Sequence, residues 1–377
     1  MSMIRLEEVW KFYGKVEAVS ELNLRCEDGE MLALLGPSGC GKSTTLKMIA
    51  GVEPVTRGEI FFGDRAVSAL QPGERNIAMV FEDYALYPHM SVFGNIAFPL
   101  KVRGLPGHMV NAKVKKVVDL LGLEELSRTN VRSLSGGAQQ RVSIGRALVR
   151  NPDLILFDEP LSHLDADQKI YLRTEIKRLQ QSSGLTSILV THDQTEAVAM
   201  ADRVAVMNHG VLQQIGTPED LYFNPSNLFV ANFIGEPPMN LINGRLSIEN
   251  GKQFIVGNNW KLNVDPFFKY GSAIELKSKN LIVGIRPENI EVSRFRGGSN
   301  TDWMQGTVSF RESRGDSDVL TIVTDRKLKD PITMVAEVPG PSDYVEGARV
   351  AMKPKLEHIC FFDKDSTENV TSKKDNA

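Results

Sequence analysis

The sequence has no run of eighteen or more apolar residues, so no segment is long enough to cross a bilayer as a helix. Its opening residues, Met1 to Val9, contain no apolar stretch of signal-peptide length. A soluble chain is expected, with any membrane role arriving through a partner. Cysteine is scarce. Cys26, Cys40 and Cys360 lie far apart and lack the spacing of a metal site, so reduced thiols in a cytosolic protein are expected. There is no excess of positive charge. Forty-four Lys and Arg against 47 Asp and Glu give a net charge of -3, which argues against a broad electrostatic attraction to nucleic acid. No internal repeat with a clear period is visible. What remains is ordinary for a globular protein, 42% hydrophobic and 24% charged, and 377 residues suffice for two or three domains.

Residues 3–10 and 17–26 alternate as strands about a turn at Gly14, and Asp28-Gly29 reads as a hairpin-type turn. Met31 to Leu35 is a short apolar strand, followed by a glycine-rich loop and a helix from Ser43 to Gly51. Gly58 to Phe62 and Ile77 to Phe81 are further strands. Between residues 90 and 150 the period becomes helical, as in Val110 to Leu121, whose basic polar face reads as a solvated side. Residues 153–157 and 186–190 read as buried strands separated by a helix from Asp165 to Gln181. This alternation predicts an α/β core with a largely parallel sheet.

The prolines of Gly235 to Asn240 break any periodic element. The predicted domains are therefore 1–236, with a helical subdomain over about 87–150, and 237–363. The second has short alternating strands at Leu281 to Ile285, Gly306 to Phe310, Val319 to Val323, Ile332 to Val338 and Val350 to Lys353, the texture of a small β-barrel. Residues 364–377 are polar and are expected to be disordered.

Gly36-x-x-x-x-Gly41-Lys42-Ser43, set between a strand and a helix, is a phosphate-binding loop. Its glycines let the backbone approach phosphate oxygens, and successive N–H groups with the helix N-terminus attract the anion. Lys42 would reach the β- and γ-phosphates, and the Ser43 hydroxyl would ligate Mg²⁺. Cys40, inside this loop, is expected to be sensitive to thiol reagents. Leu154 to Phe157 is a buried strand ending in Asp158-Glu159-Pro160. Two acids there are costly without partners, so Asp158 is assigned to Mg²⁺ and Glu159 to the general base that polarises the attacking water. A lone histidine is ordinarily structural. His192, however, ends the strand Ile188 to Thr191 in a nucleotide-binding sheet, where ligand groups collect, and it is assigned to the γ-phosphate. Leu134-Ser135-Gly136-Gly137 opens a helix that Ser135 can cap. Its glycines allow close approach to an anion, and it precedes the acidic pair by about twenty residues.

Taken together, these residues resemble the ATP-binding subunits of ABC transporters. The resemblance implies that residues Gly36, Pro37, Ser38, Gly39, Cys40, Gly41, Lys42, Ser43 and Thr44 bind ATP, with Tyr13 stacking on adenine. It implies that Ser135, Gly136 and Gly137 contact the ATP held by the opposite subunit, and that Leu161 to Asp165 crosses the dimer interface, which adds Asp165 to the trans contacts. Phe81 to His89, Leu161 to Ala166, Phe233 to Asn240 and Gly284 to Asn289 are similar to the carbohydrate-import subset, which serves maltose, multiple-sugar and glycerol-phosphate importers. For that subset the implied architecture is an ABC-type ATPase domain with an inserted helical subdomain, plus a C-terminal OB-like regulatory domain that adds a second dimer contact. The implied assembly is a homodimer docked on permease subunits at the cytoplasmic face of the membrane. Residues 84–89 would meet the permease, and a solute-binding protein would act indirectly.

The sequence departs from the family pattern at three positions. Glu82 stands where Gln is usual, near Mg²⁺ and the attacking water. Glu82 still offers an oxygen to the metal, but brings a second negative charge. Ala138 and His163 replace the usual Gln and Asn, the latter adding a titratable group near the dimer interface. Glu82 and Ala138 keep open a weakly or non-hydrolysing regulatory subunit. An importer of another small solute also stays open. A nucleic-acid ATPase is disfavoured by the charge and by the lack of a long coiled-coil insertion.

Overall fold

The computed structural model describes residues 3–162, 164–257, 260–265, 272–274, 280–295, 304–324 and 331–373. The chain divides into two compact units, Met1–Pro218 and Glu219–Ala377.

In the first unit β1 (Ile4–Tyr13) and β2 (Val16–Cys26) pair antiparallel. Then follow β3 (Met31–Leu35), α1 (Lys42–Ala50), β4 (Arg57–Phe62), β5 (Arg65–Ala66) and β6 (Ile77–Val80). Three helices come next: α2 (Val92–Val102), α3 (Gly107–Leu120) and α4 (Gly136–Leu148). The chain returns through β7 (Leu154–Asp158), α5 (Ala166–Ser183), β8 (Thr186–Thr191), α6 (Gln194–Met200), β9 (Arg203–Asn208) and β10 (Val211–Gly216). These strands build a four-stranded sheet, β2-β1-β4-β5, and a six-stranded sheet, β10-β9-β3-β8-β7-β6. In the larger sheet all neighbours are parallel except β10.

Every residue of β3 and β8 is buried. Parallel strands covered on both faces lose the polar alternation of a half-exposed strand, which is why Met31-Leu-Ala-Leu-Leu35 is uniformly apolar. Asp28-Gly29 does turn the chain, but it joins β2 of one sheet to β3 of the other and so is not a hairpin. In α3 the buried residues are Val110, Val114 and Val118, one per turn, while Lys115 and Lys116 are exposed. The basic face is a solvated side.

α1 begins after Gly41 and ends at Gly51, both in the left-handed region. Its last carbonyls need partners beyond the helix, and the Gly51 amide reaches Met48 O at 3.1 Å. Arg75 adds to this, donating to Met48 O at 2.7 Å and Ile49 O at 2.9 Å.

α7 (Pro218–Phe223) starts at the last residue of the first unit, and α8 (Leu228–Phe233) follows. Next come β11 (Asn240–Glu249), β12 (Lys252–Val256), β13 (Lys261–Asn263), β14 (Ser272–Ile274), β15 (Asn280–Ile285) and β16 (Ile290–Arg294). The chain ends with β17 (Gln305–Ser313), β18 (Ser317–Thr324), β19 (Thr333–Pro339), β20 (Arg349–Pro354), β21 (Cys360–Asp363) and β22 (Thr371–Lys373). They form two five-stranded antiparallel sheets, β13-β12-β11-β15-β21 and β16-β20-β17-β18-β19, and a β14-β22 pair. One apolar cluster, including Ile255, Val283, Leu320, Met334 and Phe361, draws on both larger sheets.

Two boundaries differ from expectation. The unit break falls at Pro218, before the proline-rich segment 235–240, because residues 219–234 are bonded to the β-rich unit. The buried Arg286 donates to Tyr222 O at 2.9 Å, to Ala231 O at 3.2 Å and to Ile234 O, and its guanidinium lies 4.1 Å from the Tyr222 ring centroid. Residues 364–373, expected to be disordered, are ordered. Asn369 donates to Pro225 O and Ser226 O, and Thr371–Lys373 pairs with Ser272–Ile274. The segment is polar, yet its backbone groups find hydrogen-bond partners, and Val370 packs partly buried against the apolar cluster. Residues 374–377 and His163 lie outside the described residues.

Candidate active site

The register of the large sheet brings the strand ends together. Leu35 lies opposite Thr191, and Asp158 opposite Val190. The loop after β3, the acids ending β7 and the histidine after β8 therefore share the carboxyl edge of one sheet, where α/β folds collect ligand groups.

The loop demands glycine at two points. A Cβ on Gly36 would lie 2.2 Å from Met207 O. Gly41 has φ +102, and a Cβ there would lie 2.6 Å from Ala18 O. Ser38 and Gly39 form the exposed crest, whereas Cys40 is 3% exposed. That burial opposes the expected reactivity toward thiol reagents, although the Sγ lies 3.7 Å from Lys42 Nζ. Lys42 is 5% exposed. Its ammonium donates to Gly36 O at 2.7 Å and Pro37 O at 2.9 Å and so is wrapped by the loop. A buried ammonium facing only neutral carbonyls is a costly arrangement, and a polyphosphate fits it.

The Ser43 hydroxyl donates to Asp158 Oδ1 at 3.4 Å. Burial pushes the Asp158 carboxyl above the usual carboxylate range. The Ser43 hydrogen bond opposes this, and the charges of Glu159 and Glu82 add to it. Glu159 sits in the left-handed region at φ 47, with its amide on Val190 O at 2.9 Å. Its Oε2 lies 3.0 Å from His192 Nδ1. A carboxylate only accepts, so Nδ1 carries the hydrogen and the histidine orients the carboxylate. Among the described residues no three of His, Cys, Asp and Glu cluster as metal ligands. The hydroxyl–carboxylate pair suits Mg²⁺, which typically takes one or two carboxylates and completes its shell with phosphate and water.

The other expected residues lie on other elements. Tyr13 ends β1 and is 45% exposed. Ser135 caps α4, its Oγ accepting from Ala138 N at 3.4 Å. Asp165 caps α5, accepting from Gln168 N at 2.9 Å. Among the described residues, no hydrogen bond joins Ser135, Gly136 or Gly137 to the loop 36–44. Glu82 is exposed, in the turn after β6.

Sequence reasoning missed two groups of residues. Tyr84 and Ala85 both have positive φ, 62 and 47. The turn is clamped by α4: Ser143 Oγ donates to Tyr84 O at 2.9 Å, and Arg146 donates to Tyr84 O at 3.0 Å and also to Ala85 O. Lys11, two residues before Tyr13, is buried with its ammonium 4.8 Å from the Tyr13 ring centroid. Its spacing from an aromatic on one strand face was the available signal. The clamp had none, because its partners lie about sixty residues apart.

Residues 19–162 match the family model described as ABC transporter, residues 235–290 that of the MalK OB fold domain, and residues 283–362 that of the TOBE domain. The trehalose/maltose import ATP-binding protein MalK of Thermococcus litoralis is 44% identical over 375 residues, covering 97% of this chain and 98% of that one. The sn-glycerol-3-phosphate import ATP-binding protein UgpC 2 of Agrobacterium fabrum is 46% identical over 293 residues, covering 78% and 77%. A dimeric structure of MJ0796, a bacterial ABC transporter cassette, superposes with a TM-score of 0.51 at 30% identity, covering 57% of this chain and 98% of that one. The fold and site define a nucleotide-binding ATPase of the phosphate-loop class. More particularly, the chain belongs to the ABC transporter family as an ATP-binding subunit with C-terminal OB and TOBE domains.

Proposed function

We propose that this chain hydrolyses ATP to energise an ABC importer for a carbohydrate or a related polyol or glycerol phosphate. Two copies would sandwich two nucleotides head to tail. The observation that carries the reading is the joint placement of Lys42, Ser43, Asp158, Glu159 and His192 at one sheet edge, with Ser43–Asp158 at 3.4 Å and Glu159–His192 at 3.0 Å. Bound Mg²⁺ supplies positive charge that offsets the phosphate oxygens and the acids around them. Ser43 and Asp158 would hold it, with Glu82 offering a further oxygen.

The chain's own groups do the rest. Lys42, released from the Gly36 and Pro37 carbonyls, holds the β- and γ-phosphates. The amides of 38–44 cradle the phosphates at the start of α1. Glu159 accepts a proton from the attacking water, and His192 fixes the orientation of that carboxylate while reaching the γ-phosphate. Tyr13 presents its ring to adenine.

The trans role of Ser135, Gly136 and Gly137, and of Asp165 in the crossing loop, is supported by the dimeric form of the MJ0796 cassette and by side-chain hydrogen bonds of Ser135 and Asp165 that go to their own helices. No helix among the described residues is long and apolar enough to cross a membrane. Attachment would therefore be peripheral, through permease subunits at the cytoplasmic face. A solute-binding protein outside would select the solute.

Single-turnover hydrolysis by the purified chain tests the reading. Wild-type protein should release phosphate, and Glu159→Gln should bind MgATP while losing at least about a hundredfold in rate. Equal rates in the two proteins would favour the regulatory, non-hydrolysing alternative that Glu82 and Ala138 suggest.

A further inference from the structure

Side chains two residues apart on a strand share a face. Trp10 and Phe12 stack on each other at 5.8 Å on one face of β1. Lys11 and Tyr13 occupy the other, with the Lys11 ammonium 4.8 Å from the Tyr13 ring centroid. That ammonium is unusually well held. Lys11 is 5% exposed; its Nζ donates to Pro54 O at 2.8 Å and pairs with Glu53 Oε2 at 3.0 Å. The hydrogen bond from Lys11 holds the Glu53 carboxyl below the usual range, with a smaller contribution from a Tyr13 hydrogen bond. Glu53 and Pro54 follow α1 directly. The amides of Val52 and Glu53 both donate to Lys47 O, at 3.0 and 3.2 Å. The opposite end of α1 carries Lys42 and Ser43. The cation over Tyr13 is thus anchored to the helix that carries the phosphate-binding residues.

We propose that Lys11 is a positioning residue for nucleobase binding. Its ammonium covers one face of the Tyr13 ring, fixes the ring relative to the loop 36–44, and leaves the second face to the purine. An exposed tyrosine at a strand end samples several rotamers. A cation held over one face selects one of them, and less ordering then remains to be done when the nucleotide binds. This inference rests on the reading of Tyr13 as the adenine platform.

Dissociation constants for MgATP and for Mg²⁺ with inorganic triphosphate, measured on the full chain and its variants, separate the two ideas. Tyr13→Ala and Lys11→Met should each weaken MgATP about two- to thirtyfold, the span expected for loss of one such contact, while triphosphate binding stays within about twofold. Lys11→Arg, which keeps a cation over the ring, should recover most of the MgATP affinity. Unchanged MgATP binding by Tyr13→Ala would remove the adenine platform itself. If Tyr13→Ala weakens MgATP but Lys11→Met binds it like the parent, or loses triphosphate equally, the positioning role is overturned. Should Lys11→Met fail to fold, Glu53→Gln carries the test. It loosens the anchor and must weaken MgATP without weakening triphosphate; parent-like MgATP binding would refute the role.

Discussion

Glu82 adds a further acidic charge to the Asp158–Glu159 pair. Two unit charges at ~4 Å repel by about 1–4 kcal/mol at the dielectric of a protein surface or watery cleft. The Asp158 carboxyl, already raised by burial, is raised further by Glu159 and by Glu82. An extra acid beside this pair makes the site more dependent on a cation. Glu82→Gln is therefore expected to hydrolyse ATP faster, or to need less Mg²⁺ for half-maximal rate. Identical rates and identical Mg²⁺ titrations for the two proteins would rule this out. At the same scale, the loop's chemistry was legible because glycine, lysine and serine are irreplaceable where backbone, ammonium and hydroxyl must all face one anion. The Glu159–His192 contact was not legible. Both residues were assigned, but to separate partners, and only the sheet register brings them within 3.0 Å.

Among the elements, α4 has two tasks. Its N-terminus is capped by Ser135, and about two and three turns further on Ser143 and Arg146 grip the carbonyls of Tyr84 and Ala85. Left-handed backbone at two consecutive non-glycine residues is strained by about 1–3 kcal/mol each, and the charge-assisted bonds from Arg146 help to offset it. Burial depresses the Arg146 pKa from its ordinary value, but guanidinium remains charged at neutral pH. Arg146→Lys keeps the charge and loses the two-pronged geometry. Hydrogen exchange at the amides of 85–87 should speed up about tenfold or more in this variant, since hydrogen bonds to charged groups are worth roughly 1.5–3 kcal/mol. Parent-like protection there would mean that the turn is held by something other than α4. The helices themselves were readable from their 3.6-residue period. The clamp was not, because nothing in a local window links residue 84 to residue 146.

For the molecule as a whole, the prediction concerns pairing. Glu159→Gln with ATP should double in mass by light scattering, because on the proposed head-to-tail pairing nucleotide would remain bound and each γ-phosphate would gain donors from both chains. Adding Ser135→Arg, which puts a bulky side chain at the contact, should return it to a monomer in ATP. Persistence of the dimer would place the interface elsewhere. The sequence by itself determined the chemistry and the fold class. Phosphate-loop spacing, two acids ending an apolar strand and a glycine signature are local patterns, readable in a short window without knowledge of distant partners. Tertiary structure decided which of those groups meet. It moved the unit break to Pro218, because Arg286 ties residues 222–234 to the β-rich unit. It also ordered the polar segment 364–373 by pairing its backbone, and it set a buried lysine over Tyr13. Each of these depends on hydrogen bonds or charges between residues distant in the chain or on the packing around them, and composition and periodicity carry no record of such partners.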